Sequence, residues 1–154
     1  MSQKRRDAQP GSTVDTPLPS PETRVCIAIG WTLVVVFLAF GLLLEAFHLV
    51  KLVDYFDVRL RRELWTLAHA HGALLGAITV LAGHSADRLV PSPSGRTAVA
   101  RLVATGAILV PLGFLGGGIA PAEGDPSVAI VLVPIGALLA LAGLALLARA
   151  AWRA

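Results

Sequence analysis

Four ionisable side chains lie within or beside apolar segments in the first half of the chain, and they are the first candidates for chemistry. They are Glu45, His48, His69 and His71. Carboxylate and imidazole groups bind transition metals and carry protons. Because an ionisable group in a membrane is costly, it normally faces a helix bundle or a water-filled cavity. These residues therefore define a candidate site.

Their spacing predicts which of them share a helix face. Glu45 and His48 are three residues apart, so they lie on one face. One Glu-x-x-His motif also resembles half of a carboxylate-bridged di-iron site, but the chain has no second copy. His69 and His71 are about 200° apart around a helix and cannot point at the same place. His69 shares its face with small glycines, so we expect His69 to face inward.

The candidate residues suit two kinds of cofactor. Glu45, His48 and His69 form a three-ligand set for zinc, iron or copper, which His71 or an acidic loop bearing Glu123 and Asp125 would complete. In the second hypothesis, His48 pairs with His69 or His71 as the axial ligands of a b-type haem between helices. Against both stands a structural role, in which the histidines only bond to neighbouring helices or lipid headgroups.

Three functions follow from these alternatives. The first is a cofactor-binding or redox accessory protein. The second is a non-catalytic protein that assembles with a membrane partner or a second copy of itself. The third is a small transporter or lipid-active enzyme that uses Glu45 and His69. The sequence contains no phosphate-binding loop, nucleophile elbow, cysteine pair or dinucleotide motif, so it does not decide whether the protein is an enzyme.

The elements that must position these residues are apolar helices. The chain is 55% hydrophobic and 15% charged, with a mean hydropathy of +0.72, which is typical of a membrane protein. About 20 apolar helical residues cross a bilayer. Four segments are long enough, at residues 25–47, 64–83, 99–120 and 127–148. The sequence therefore predicts an all-α fold, a four-helix transmembrane bundle over residues 25–148.

The remaining segments are predicted as tails and connectors. Residues 1–24 are polar and proline-rich and predict a disordered tail, and residues 149–154 form a short C-terminal tail. Between the first two spans, apolar residues recur at helical spacing and predict a short amphipathic helix along the membrane surface, with a solvated linker as the alternative. The acidic third loop is expected to lie over the mouth of the bundle. Glycines expected to let helices pack closely are Gly72, Gly76, Gly113, Gly117, Gly136 and Gly143.

The distribution of basic residues predicts orientation. Nine lysines and arginines lie on the side that holds both termini and the second loop, against four on the other side. Positive residues favour the cytoplasmic side, so we expect a cell-membrane protein with both termini in the cytoplasm and the Glu/His site at the outer leaflet. The net charge is +3, and the basic residues lie at the ends of the spans, where they contact lipid headgroups. We therefore exclude nucleic acid as a partner. The alanine-, leucine- and arginine-rich, lysine-poor composition suggests a GC-rich bacterium, so the expected membrane is a bacterial inner membrane.

Overall fold

The computed structural model describes residues 19–122 and 124–154, and it is helical without strands over those ranges. The helices are α1 (Pro21–Leu49), α2 (Val53–Phe56), α3 (Arg59–Leu89), α4 (Pro93–Gly117) and α5 (Leu132–Ala151), with a 3-10 turn at Val128–Val131 before α5. Within the described ranges, four helices are long and apolar enough to cross a membrane. The predicted four-helix transmembrane bundle is confirmed, and the chain is a multi-pass membrane protein.

α1 and α3 extend beyond the apolar segments that predicted them, whereas α4 ends at Gly117, before the predicted end at residue 120. α1 begins at Pro21 rather than near residue 25, and α3 extends both before and after residues 64–83. The amphipathic segment predicted between the first two spans is divided among the end of α1, the short helix α2 and the first turn of α3. α5 continues to Ala151, into the predicted C-terminal tail. Most of the predicted N-terminal tail, residues 1–18, lies outside the described residues, as does Glu123.

The bundle is elongated in cross-section, with α3 and α4 in the middle. α1 packs mainly on α3, and α5 packs mainly on α4, so α1 and α5 occupy the two outer positions. Half of the α4 span is buried inside the bundle, compared with 17% of each of the α1 and α5 spans. Small and branched residues of α3 and α4 form the core, including Ala82, Ala86, Val99 and Val103. The outer helices therefore present most of their apolar surface to lipid.

Glycines set the two closest helix crossings. A β-carbon at Gly30 would lie 2.7 Å from the Gly76 carbonyl oxygen, so α1 and α3 meet backbone to backbone. At the α4–α5 crossing, a β-carbon at Gly106 would lie 2.5 Å from the Gly136 carbonyl oxygen. The other glycines of the packing prediction contact side chains across helix interfaces: Gly72 lies under the Phe37 ring, Gly113 faces Val133, Gly117 faces Ile130, and Gly143 faces Val103.

Polar residues hold the start of α1 against the end of α3. The Thr23 hydroxyl is fully buried and donates to Asp87 Oδ2 at 2.6 Å. The Ser20 amide donates to the other carboxylate oxygen of Asp87 at 3.4 Å. A carboxylate is favourable at a helix N-terminus, where backbone amides are unpaired. This contact extends both helices past the apolar segments.

The other end of α1 closes with a left-handed residue. Lys51 has φ of 51°, its amide donates to the His48 carbonyl at 3.3 Å, and the Leu52 amide donates to the Phe47 carbonyl at 3.0 Å. This pair of bonds is the Schellman motif, in which glycine normally occupies the left-handed position. A side chain there makes the conformation unfavourable.

We expect Lys51→Gly to raise the free energy of unfolding by about 1 kcal/mol, because glycine adopts positive φ without the steric penalty. Lys51→Ala is the matched control, since it removes the same charge but keeps a β-carbon. It should leave stability nearly unchanged. Both values are measurable by denaturation with sodium dodecyl sulfate in mixed micelles. A gain shared equally by the two variants would assign the effect to charge rather than to backbone conformation.

Candidate functional site

A cleft between α1 and α3 brings together three of the residues that the sequence singled out. We call it the Glu45 cleft. It has a volume of about 420 Å³ and is lined by Leu38, Gly41, Leu42, Leu44, Glu45, His48, Thr66 and His69. Leu38 and Leu42 are exposed on the outer surface of α1, so the cleft opens on the face of the bundle that meets lipid. It is an apolar groove with a polar end.

His69 is held at the α1–α3 interface by a backbone carbonyl. Its Nδ1 donates to the Phe37 carbonyl oxygen at 2.7 Å. A carbonyl only accepts, so Nδ1 carries a proton, and in the neutral tautomer Nε2 is an acceptor. The ring lies directly over Gly41, where any β-carbon would occupy the same space. Gly41, which the sequence prediction did not include, therefore makes room for the imidazole.

His48 and Glu45 complete the polar end from α1. The His48 Nδ1 donates to the Leu44 carbonyl at 2.8 Å, and the same reasoning leaves its Nε2 as an acceptor. Its ring packs edge-on against Tyr55 and Phe56, with centroids 5.2 Å away in each case. Glu45 is exposed, and an ionised carboxylate only accepts hydrogen bonds. The cleft thus contains three acceptors.

His71 lies on a different face of α3 from His69. Its Nδ1 donates to the Leu67 carbonyl at 2.9 Å, and its ring lies 5.0 Å from that of Phe114 on α4. It does not line the Glu45 cleft. The acidic loop also stays apart from the cleft lining: Asp125 is exposed and pairs through its backbone with Ala122. Glu123 lies outside the described residues.

No metal centre is assembled in the part of the chain that the structure describes. Within residues 19–122 and 124–154, no group of three or more His, Cys, Asp and Glu side chains is placed to hold one ion. The metal and haem hypotheses remain predictions without structural support. Assembly with a second copy or a membrane partner also remains a prediction.

A second cleft adjoins the first. We call it the Tyr55 cleft. It measures about 580 Å³ and is lined by His48, Tyr55, Arg62, Glu63, Thr66 and Leu67, so it shares His48 and Thr66 with the Glu45 cleft. The Tyr55 side chain is 1% exposed, and its hydroxyl has no hydrogen-bond partner among the described residues. The chain contains no other tyrosine. The sequence prediction missed Tyr55. A single tyrosine between two spans is a recognisable sign of an aromatic residue at the membrane interface.

Aromatic rings hold the Tyr55 ring in place. It stacks on Trp65 of α3 with a centroid distance of 6.1 Å and an interplanar angle of 26°. Phe47 and Phe56 pack against it at 5.5 and 5.7 Å. Burial raises the pKa of the Tyr55 phenol, and the nearby Thr66 hydroxyl and Arg62 guanidinium oppose the shift only in part. Thr66 lies close to the phenol, but the two hydroxyls do not meet the geometry of a hydrogen bond. The phenol therefore stays protonated and remains a donor across the physiological range.

Arg61 connects α2 to the end of α4. Its guanidinium donates to the carbonyl oxygens of Asp54 at 2.7 Å, Gly118 at 3.1 Å and Ile119 at 3.1 Å. It also lies 5.6 Å from the centre of the Trp65 ring. The Trp65 indole donates to the Leu115 carbonyl at 3.1 Å. Carbonyls at a helix C-terminus lack the full set of helical partners, and Arg61 supplies donors to Gly118 and Ile119. The Trp65 indole is a second donor to the Leu115 carbonyl, which also accepts from the Gly118 amide at 3.2 Å.

Comparison with known protein families, curated proteins and solved structures finds no match to this chain. Its function therefore has to be inferred from the chemistry of the two clefts. The two clefts differ in their polar groups. Glu45 and two imidazoles line the Glu45 cleft, while the Tyr55 cleft adds a buried hydroxyl donor and the Arg62 guanidinium beside the Glu63 carboxylate.

Proposed function

We propose that this protein binds an amphiphile from the surrounding lipid, with a protonated amine of the ligand in the Glu45 cleft. The observation that carries the proposal is the set of three acceptors, Glu45, His48 and His69, at the end of an apolar groove. Both histidines commit their Nδ1 protons to backbone carbonyls, so in the neutral tautomer each ring offers the lone pair of Nε2. A primary ammonium carries three N–H donors and a positive charge, which matches this set.

The rest of the cleft suits the apolar part of such a ligand. Leu38 and Leu42 continue from the polar end along the outer surface of α1, where 51% and 74% of their surface is exposed. An alkyl chain lying there would replace bulk lipid without losing apolar contact. The headgroup instead gains an ion pair with Glu45, which is favoured where water is scarce.

The proposal places the clefts at the outer leaflet, with both chain termini in the cytoplasm. The nine-to-four distribution of basic residues supports this orientation. Four basic residues lie on the outer side, and three of them are arginines that bind partners within the chain. These contacts give them a structural role on that side. Arg59 pairs with Glu63 at 2.7 Å, Arg61 binds backbone carbonyls, and Arg62 donates to the Phe56 carbonyl.

The test compares amphiphiles that share a dodecyl chain and differ in headgroup: dodecylammonium, dodecyltrimethylammonium, dodecanol and dodecanoate. Binding to purified protein in maltoside micelles is measured by isothermal titration calorimetry. We expect dodecylammonium to bind most tightly, because it alone combines positive charge with N–H donors. Glu45→Gln should weaken its binding about tenfold, equivalent to about 1.4 kcal/mol.

Glu22→Gln is the matched control, since Glu22 is an exposed glutamate at the opposite end of the same helix. It should bind dodecylammonium as the unmodified protein does. Equal affinity for all four headgroups would contradict the proposal, because the acceptors would then play no part. An unchanged affinity in Glu45→Gln would contradict it as well.

A further inference from the structure

The Tyr55 cleft offers a complementary set of groups directly beside the proposed ammonium site. The Tyr55 hydroxyl is buried, protonated and without a partner among the described residues. Thr66 adds a second hydroxyl to the lining, and Arg62 adds a positive charge. A buried hydroxyl without a hydrogen bond is unfavourable, because it has lost its water partners and gained none from the protein. An acceptor from outside the chain would remove that penalty.

Arg62 is fixed at the edge of the cleft by its own contacts. Nη1 donates to the Phe56 carbonyl, and the guanidinium carbon lies 5.6 Å from the centre of the Phe56 ring. These contacts leave other guanidinium N–H groups as donors. Glu63 also lines the cleft, and its carboxylate is paired with Arg59 at 2.7 Å, which offsets its charge. The cleft therefore favours an anion with several acceptor oxygens.

The two clefts are continuous in their lining. His48 and Thr66 belong to both, so the two clefts adjoin, and a ligand that uses both needs two charged groups close together. The required order is an anionic group beside Tyr55 and Arg62 and a cationic group beside Glu45. A phosphodiester has the oxygens and the charge for the first position, and arginine is well suited to bind it.

We propose that the ligand is an aminophospholipid, whose phosphodiester is held by Tyr55, Thr66 and Arg62 while its ammonium is held by Glu45. This inference rests on the proposed function and specifies its ligand. The phosphate accepts from the Tyr55 hydroxyl, giving this buried group its missing partner. The acyl chains follow the exposed leucines of α1. The site thereby recognises both charges of a zwitterionic headgroup from the lipid side.

The experiment adds three probes to the dodecyl series: dodecylphosphoethanolamine, dodecyl phosphate and inorganic phosphate. We expect dodecylphosphoethanolamine to bind at least tenfold more tightly than dodecylammonium. Tyr55→Phe, which keeps the ring, and Arg62→Gln should each remove about tenfold of that affinity. Neither should change the affinity for dodecylammonium, which lacks the phosphate. Arg88→Gln, at the far end of α3, is the control and should bind all probes as the unmodified protein does.

The outcomes separate this inference from the proposed function. If dodecylphosphoethanolamine binds no more tightly than dodecylammonium, or if Tyr55→Phe keeps the full advantage, the inference is wrong and the proposed function stands. If dodecylammonium fails to bind while dodecyl phosphate binds through Tyr55 and Arg62, the proposed function is wrong and the phosphate contact stands. Tight binding of inorganic phosphate alone would overturn the assignment to a lipid.

Discussion

Replacing Gly76 with leucine is expected to force α1 away from α3 and to lower the free energy of unfolding by about 3 kcal/mol. A β-carbon at Gly76 would lie 2.9 Å from the Gly30 carbonyl oxygen and 2.9 Å from the Val34 amide nitrogen. These are backbone atoms, so no change of rotamer relieves the clash. Leucine gains about 1 kcal/mol in helix propensity over glycine, which offsets only part of the loss.

Ala77→Leu is the matched control for Gly76→Leu. Ala77 is the next residue on the same helix and is exposed, so leucine there adds the same kind of side chain on the lipid-facing surface. Its stability should change little. The two variants are compared by circular dichroism during denaturation with sodium dodecyl sulfate in mixed micelles. Equal stability of both variants would show that the α1–α3 crossing is not as close as the contact between Gly30 and Gly76 requires.

Arg61→Ala is expected to lower the free energy of unfolding by a similar amount, about 3 kcal/mol. Hydrogen bonds to a charged group contribute about 1.5–3 kcal/mol each, and those made by one side chain are not additive. Arg61 makes three, and two of them reach the Gly118 and Ile119 carbonyls at the end of α4. Without the guanidinium these carbonyls lose their donor close to the membrane, where fewer waters replace it.

Arg59→Ala is the control for the Arg61 variant. Arg59 lies on the first turn of the same helix, but its contact with Glu63 is an exposed ion pair four residues apart. Such pairs contribute about 0.5 kcal/mol or less. The same denaturation assay should therefore separate the two arginines clearly. Similar losses from both would assign the effect to the net charge of this region and not to the carbonyl contacts.

The number of membrane helices could be predicted from the sequence because hydropathy alone decides it. A long apolar segment in lipid must satisfy its own backbone groups, and only a helix does so within one segment. The ends of the helices follow other rules. α1 starts early because Asp87 caps it from α3, and it ends at a left-handed lysine. Both features depend on a few local hydrogen bonds and on backbone conformation, which hydropathy does not report.

The candidate site was predictable in part. A separation of two residues places His69 and His71 on different faces of any helix. That His69 meets the Phe37 carbonyl while His71 meets Phe114 depends on which helices are neighbours. The sequence prediction missed Tyr55, because its significance lies in a buried hydroxyl without a partner. It also missed Thr66, because a single threonine inside a span carries no distinctive pattern.

The sequence by itself determined a four-span membrane protein with ionisable residues gathered near one end of the bundle. Only the tertiary structure decided that α1 pairs with α3, which places Glu45 and His48 in one cleft with His69 and leaves His71 beside α4. The physical reason is that apolar helices in lipid have no hydrophobic preference for one neighbour over another. Their pairing depends on shape, set here by close contacts such as Gly30 against Gly76.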